Sequence, residues 1–241
     1  KGGGVNPILT VEGVTAGYGR VTVLNDISLE AGRFGNVGLF GPNGHGKTTL
    51  LRAISGLLQP KSGRILFDGQ DIAGRSARAI VGTGLIHVPQ GNRLFPDLSI
   101  ADCMALGAYS PRARPHEAEN REKVVKLFPK LAERWRQRVR TLSGGERKMV
   151  SIGTALMSHP RLLILDEPTL GLAPKIKDEL CASVMDISRG GVPLIVVEQD
   201  IEFLLELTQQ LYLVNHGAVA TEIKPGESLD HGEIMSMYFG H

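Results

Sequence analysis

The sequence is short of cysteine, of aromatic residues and of long apolar runs, and each shortage excludes a class of protein. Cys103 and Cys181 are its two cysteines. They are too few for a disulfide framework and lack metal-ligand spacing, so a reducing cytosol is the expected compartment. Aromatic residues make up 5% of 241, and the basic stretch from Pro111 to Arg140 holds only Phe128 and Trp135 for base stacking, which argues against a nucleic-acid surface there. The longest apolar runs, such as Leu162–Leu165 and Leu194–Val197, fall far short of the ~20 residues that span a bilayer. No apolar core follows Lys1-Gly2-Gly3-Gly4, so residues 1–7 read as a flexible lead-in and not as a signal peptide. The net charge of +2 is too small by itself to argue for a polyanionic partner.

What is present is ordinary globular material. Hydrophobic residues make up 42% and charged residues 22%, enough for one large domain or two small subdomains. The charge is uneven. Ten Lys or Arg stand against four Glu between Pro111 and Arg140, giving that stretch +6 and the remainder −4. Such a run reads first as a solvated helical face and second as a surface for anionic lipid headgroups.

Short apolar strands alternate with helical patterns along the chain. Ile8–Val14 and Ile27–Glu30 read as antiparallel or edge strands, with turn residues Gly17 and Gly19 between them. Val37–Phe40 is a buried strand, followed by a glycine-rich loop and a helix to about Leu58. Arg64–Phe67 and Leu85–Val88 are further strands, and the pattern from Ser99 to about Trp135 is helical. A helix over Gly144–Met157 is expected from Met149, Val150, Ile152, Ala155 and Leu156, which recur near a 3.6 period. Leu162–Leu165 and Pro193–Val197 are the continuous apolar runs of a parallel sheet, and the helix between them runs from about Pro174 to Gly190-Gly191. Strands near Leu211–Val214 and Ala218–Thr221, then a short helix, close the chain. The expected class is α/β, with a core over residues 8–90 and 159–241 and a helical insert over 91–158.

Three motifs carry chemistry. Gly41-Pro42-Asn43-Gly44-His45-Gly46-Lys47-Thr48 fits G-x-x-x-x-G-K-S/T, with Thr49 next, and sits between a strand and a helix. Glycines let backbone N–H groups crowd a phosphate chain while the helix presents its positive end. Lys47 then reaches the β- and γ-phosphates and the Thr48 hydroxyl ligates Mg²⁺. His45 occupies a variable position of the motif and reads as solvated. Second, the strand Leu162–Leu165 delivers Asp166 and Glu167 to its carboxyl end. Asp166 can hold Mg²⁺ through water and Glu167 can act as general base. Third, Leu142-Ser143-Gly144-Gly145-Glu146 places a serine and two glycine amides at a helix start, a second anion site with no phosphate loop of its own.

With these three motifs in this order, the sequence resembles the ATP-binding-cassette (ABC) ATPases over nearly its whole length. The resemblance implies a P-loop core with an antiparallel β subdomain and an inserted α-helical subdomain. It makes Tyr18 an adenine stacker (an exposed turn aromatic being the alternative) and gives Gln90 contact with Mg²⁺ or the attacking water. Ser143, Gly144, Gly145 and Glu146 become the signature that caps ATP bound to a second, head-to-tail ATPase subunit. The segments 88–96, 168–174 and Val197-Glu198-Gln199 are most similar to the ATPase subunits of branched-chain amino acid permeases. That likeness implies import of branched-chain amino acids or similar small solutes. A urea or amide importer and a lipid or lipopolysaccharide exporter are the alternatives. It also implies ATP and Mg²⁺ as cofactors, two membrane permease subunits docking near Gln90–Pro96, a solute-binding protein as indirect partner, and a peripheral place on the cytoplasmic face of the cell membrane. Leu94, Phe95 and Pro96 are then either a docking surface or a buried hinge anchor.

Two positions depart from the family pattern. Gln199 stands where most ABC ATPases carry a His that touches the γ-phosphate and the water. Gln donates and accepts hydrogen bonds but cannot become cationic. Leu172 stands where the loop after Asp166-Glu167 usually ends in Asp.

Overall fold

The computed structural model describes residues 6–91 and 93–223. Strands β1 (Leu9–Tyr18) and β2 (Val21–Ala31) form an antiparallel hairpin. The turn is narrower than the sequence suggests. Gly17 lies inside β1, so close to β2 that a Cβ there would come within 2.0 Å of the Val21 carbonyl oxygen. Much of Val21–Asp26 is exposed, and Gly13 and Asp26 both take positive φ where the pairing shifts register. The alternation that marks a strand is therefore broken there.

Strand β3 (Val37–Phe40) is buried throughout and leads through the glycine-rich loop into α1 (Lys47–Ile54). That helix stops four residues before the expected Leu58. Gly56 turns left-handed at φ 71°, and the N–H groups of Leu57 and Leu58 fold back onto the Arg52 carbonyl. Then come β4 (Ser62–Phe67), the two-residue β5 (Gln70–Asp71) and α2 (Ala77–Thr83), which buries only Ile80. Neither β5 nor α2 is long or apolar enough to show as a period.

After β6 (Leu85–Val88), the stretch expected to be helical to Trp135 is broken into pieces. These are α3 (Ile100–Gly107), a single 3₁₀ turn at Arg114–His116, α4 (Glu117–Leu127) and α5 (Pro129–Glu133). Pro111, Pro115 and Pro129 lie at the breaks, where a missing N–H and a fixed φ end one helix and start the next. Next are α6 (Gly144–Met157), β7 (Leu162–Asp166) and α7 (Pro174–Arg189), which ends at Gly190 as expected. Strand β8 (Leu194–Val197), the short α8 (Ile201–Leu207) begun by an Asp200 cap, and the hairpin of β9 (Gln210–Asn215) and β10 (Ala218–Ile223) complete the fold. The short helix expected after this hairpin lies outside the described residues.

The chain divides into two compact units. One holds the described residues up to Ile80 and from Pro193 onward; the other is Val81–Val192. In the first, β2, β1, β4 and β5 make an antiparallel sheet, while β10, β9, β3 and β8 lie side by side with β3 parallel to both β8 and β9. Leu39, Leu50, Leu51 and Ile54 are fully buried there and seat the strand and helix on either side of the glycine-rich loop. In the second unit β6 and β7 pair in parallel from Leu85↔Leu162 to Val88↔Leu165. Leu162–Leu165 are fully excluded from solvent, each contributing about 1.5–3 kcal/mol by burial. Helix α6 approaches α3 through Gly107 and Gly153, where an added Cβ would fall 2.2 Å from the Thr154 carbonyl oxygen and 2.8 Å from Met104 Cε. This close packing holds the helical part of the second unit together.

Candidate active site

The glycine-rich loop is shaped by backbone conformations that side chains rarely adopt. Gly41, Gly44 and Gly46 take φ of 139°, 82° and 106°. A Cβ at Gly41 would lie 2.1 Å from the Val214 carbonyl oxygen, and one at Gly46 would meet Leu24 at 2.9 Å. At Gly44 an added Cβ would meet nothing within 4 Å, so this is the open side of the loop. Helix α1 begins at Gly46 with no side-chain cap and no acidic residue in its first turn. No acidic side chain therefore competes with an anion for the positive end of this helix. Lys47 is buried, and its Nζ donates to the carbonyl oxygens of Gly41 (2.6 Å) and Pro42 (3.0 Å). The ammonium is folded onto the loop it serves. Thr48 follows in the first turn, its oxygen suited to a hard cation such as Mg²⁺. These residues fit a nucleotide phosphate chain.

In the second unit, Asp166 ends β7 with 1% of its surface exposed. Glu167 follows at φ 45°, a left-handed conformation that costs a non-glycine residue about 1–3 kcal/mol. Its carboxylate Oε2 accepts a hydrogen bond from Gln90 Nε2 at 2.7 Å. Glu167 and Gln90 also line a cavity of about 400 Å³ together with Gly144, Lys148 and the 170–172 loop. The structure thus brings together three of the expected residues, Gln90, Glu167 and Gly144.

Ser143 is the N-cap of α6. Its hydroxyl accepts from the Glu146 N–H (3.3 Å), and the Glu146 carboxylate accepts from the Ser143 N–H (2.8 Å). Glu146 also pairs with Arg134 at 2.6 Å. The Ser143 N–H holds the Glu146 carboxyl below its ordinary value against the opposing effect of burial, with the Ser143 hydroxyl and Arg134 assisting. Glu146 therefore serves the helix start itself. Gly145 is pressed on Ile176, where a Cβ would fall at 2.3 Å, whereas an added Cβ at Gly144 would meet nothing within 4 Å. The ABC transporter family profile matches residues 24–170, a span holding all three motifs and Gln90. The chain belongs to the ABC transporter family.

Similar proteins agree over nearly the full length. The chain is 35% identical to the high-affinity branched-chain amino acid transport ATP-binding protein BraG of Pseudomonas aeruginosa, covering 97% of this chain and 100% of the relative. It is 32% identical to the Nod factor export ATP-binding protein I of Ralstonia nicotianae, covering 95% of this chain and 70% of that protein. Among solved structures, a nucleotide-free ATP-binding cassette of an ABC transporter superposes with a TM-score of 0.81 at 24% identity, over 98% of this chain and 96% of the other. The cbiO1 structure from Clostridium perfringens gives 0.78 at 27% identity, over 96% and 94%. The protein is an ATP-binding, ATP-hydrolysing subunit of an ABC transporter. No helix among the described residues is long and apolar enough to cross a membrane.

The remaining expected residues of this ABC subunit are placed as follows. Tyr18 is 45% exposed, and its hydroxyl accepts from Arg52 at 2.9 Å. Gln199 is exposed after β8, its Nε2 3.4 Å from Asn43 Oδ1 of the phosphate loop. His45 is not solvated as expected. It is half-buried, its Nδ1 2.6 Å from Asn215 Oδ1 and 3.2 Å from the His216 N–H, with the two histidine rings 4.5 Å apart. Phe95 is 67% exposed and Pro96 is exposed, while Leu94 is half-buried; Asn92 lies outside the described residues. Four of the ten basic residues between Pro111 and Arg140 stand in ion pairs: Lys123–Glu119, Lys130–Glu179, Arg134–Glu146 and Arg140–Asp97.

Sequence reasoning overlooked Lys148. The signal was there: Lys148 stands one turn before Ile152 on the buried stripe of α6, where an apolar residue is the norm.

Proposed function

We propose that this chain is the ATPase subunit of an importer for branched-chain amino acids or similar small solutes, working as a head-to-tail pair beneath two permease subunits. The carrying observation is the Gln90–Glu167 hydrogen bond beside the open start of α6. It supports a carboxylate held for one task, taking a proton from an attacking water.

In this reading Lys47 and the loop amides bind the β- and γ-phosphates, and Tyr18 stacks on adenine. Thr48, Gln90 and Asp166 hold Mg²⁺, which supplies charge neutralisation to the transferring phosphoryl group when bound. Gln90 orients Glu167, and Gln199 donates a neutral hydrogen bond toward the γ-phosphate or the water. Ser143 and the amides of Gly144 and Gly145 face the nucleotide on the second subunit. The helical stretch 91–158 moves as a subdomain hinged at Gln90. The exposed Phe95 and Pro96 dock a permease segment, an apolar contact of the kind found in interface cores. The place of action is the cytoplasmic face of the cell membrane.

Import is favoured by the full-length similarity to a branched-chain amino acid transport protein. Export is the second reading, favoured by the Nod factor export relative. Reconstitution with co-purified permease chains in proteoliposomes separates them. ATP-driven leucine uptake that requires a binding protein supports import. Transport away from the ATPase side, or failure to co-purify with any hydrophobic chain, overturns it. Size exclusion of Glu167→Gln with ATP tests the pair: a stable dimer is expected, and a monomer at saturating ATP contradicts the head-to-tail arrangement.

A further inference from the structure

Lys148 is only 5% exposed, although it sits in the second turn of a helix whose start faces open space. Burying an ammonium is unfavourable unless an anion or several acceptors face it. Its position is set by geometry. Gly144 and Lys148 are four apart on α6 and so share a face, and both line the 400 Å³ cavity that Glu167 lines from the end of β7. Around that cavity Lys148 and Glu167 are the two residues that carry formal charge, and the charges are opposite. The other walls are Gln90, Gly91, Gly144 and the 170–172 loop, all neutral. Opposite charges among the residues around one partly enclosed space attract more strongly than in bulk water.

We propose that Lys148 is a positioning residue for the Glu167 carboxylate; this rests on the reading of Glu167 as general base. A carboxylate offers about four lone-pair sites and an ammonium three donors. The Gln90 N–H already takes one site on Oε2. A second, charge-assisted donor from Lys148 fixes the plane of the carboxylate. The left-handed backbone at Glu167 makes such support necessary, because a strained residue persists only where its surroundings hold it. In this role Lys148 acts through Glu167 and not on the nucleotide itself.

The test uses Lys148→Met, Lys148→Gln and Lys148→Arg in the full chain assembled with its permease partners, with turnover expressed per bound ATP. Lys148→Met and Lys148→Gln should lower kcat by about 10- to 100-fold, the worth of one charge-assisted hydrogen bond. The KM for ATP should stay within about twofold. Lys148→Arg should recover most of the loss. In a Glu167→Gln background the further change Lys148→Gln should cost nothing, because the group it positions is gone. Normal kcat in Lys148→Gln, or an equal loss in the Glu167→Gln background, overturns the proposal. If Glu167→Gln itself turns over normally, it is the reading of Glu167 as base that fails, and the two failures are thereby distinguished.

Discussion

Gln90 and Glu167 meet through a hydrogen bond of 2.7 Å, and the pairing of two strands brings them there. Val88 of β6 lies opposite Leu165 of β7 in a parallel register. Two residues further along each chain stand Gln90 and Glu167, so the register of the buried strands sets the distance between the two polar side chains. Gln90→Ala should therefore lower turnover by about tenfold, the worth of one hydrogen bond in the transition state, and by more than it weakens Mg-ATP binding. Gln90→Glu should lose more, because like charges then face each other. Steady-state ATPase rates beside nucleotide binding decide this, and unchanged turnover in both variants would contradict the positioning role.

Lys47→Ala removes charge-assisted bonds worth about 1.5–3 kcal/mol each. ATP affinity should fall at least about tenfold and hydrolysis should vanish. Equilibrium binding and turnover of the purified variant check both; wild-type hydrolysis would remove Lys47 from the site.

Gln199 lies by the phosphate loop through Asn43 and cannot become cationic. Gln199→His should preserve or raise turnover, whereas Gln199→Ala should lower it about tenfold. A flat response to Gln199→Ala in the intact transporter would show that hydrolysis depends on a different ATPase subunit of the pair.

The parts of this fold legible in the sequence are those with dense local signals. The phosphate loop, the α6 start at Ser143 and the fully buried run Leu162–Leu165 each combine a spacing rule with a composition rule. The rest depended on long-range packing. The full length of β2 rests on its pairing with β1, since Val21–Asp26 alternates too weakly to show alone. The early end of α1 at Gly56 is set by close approach to Arg75 and Ala77. His45 is held by Asn215 and His216, 170 and 171 residues away in sequence, and no local pattern announces that contact. Lys148 was hidden differently: its charge made it look like surface, and only the cavity shows it turned inward.

A pH effect on stability should come from His159, outside the nucleotide site. Burial, then the stacked His116 ring and Arg112, push its pKa below the ordinary 6.5. A group that resists protonation in the fold contributes stability that is full above the unfolded value and lost as pH falls through it. Tm should fall between pH 7.5 and 5.5. His159→Asn, which tolerates the φ of 53° at this position, should flatten that dependence. An unchanged slope of Tm against pH would assign the effect to other groups.

The most direct test of the account is ATP turnover by Glu167→Gln in the assembled transporter. Full ATP binding is expected, with turnover lower by about 10²–10⁴, the usual worth of a general base. Turnover at the wild-type rate would contradict it and place the base elsewhere.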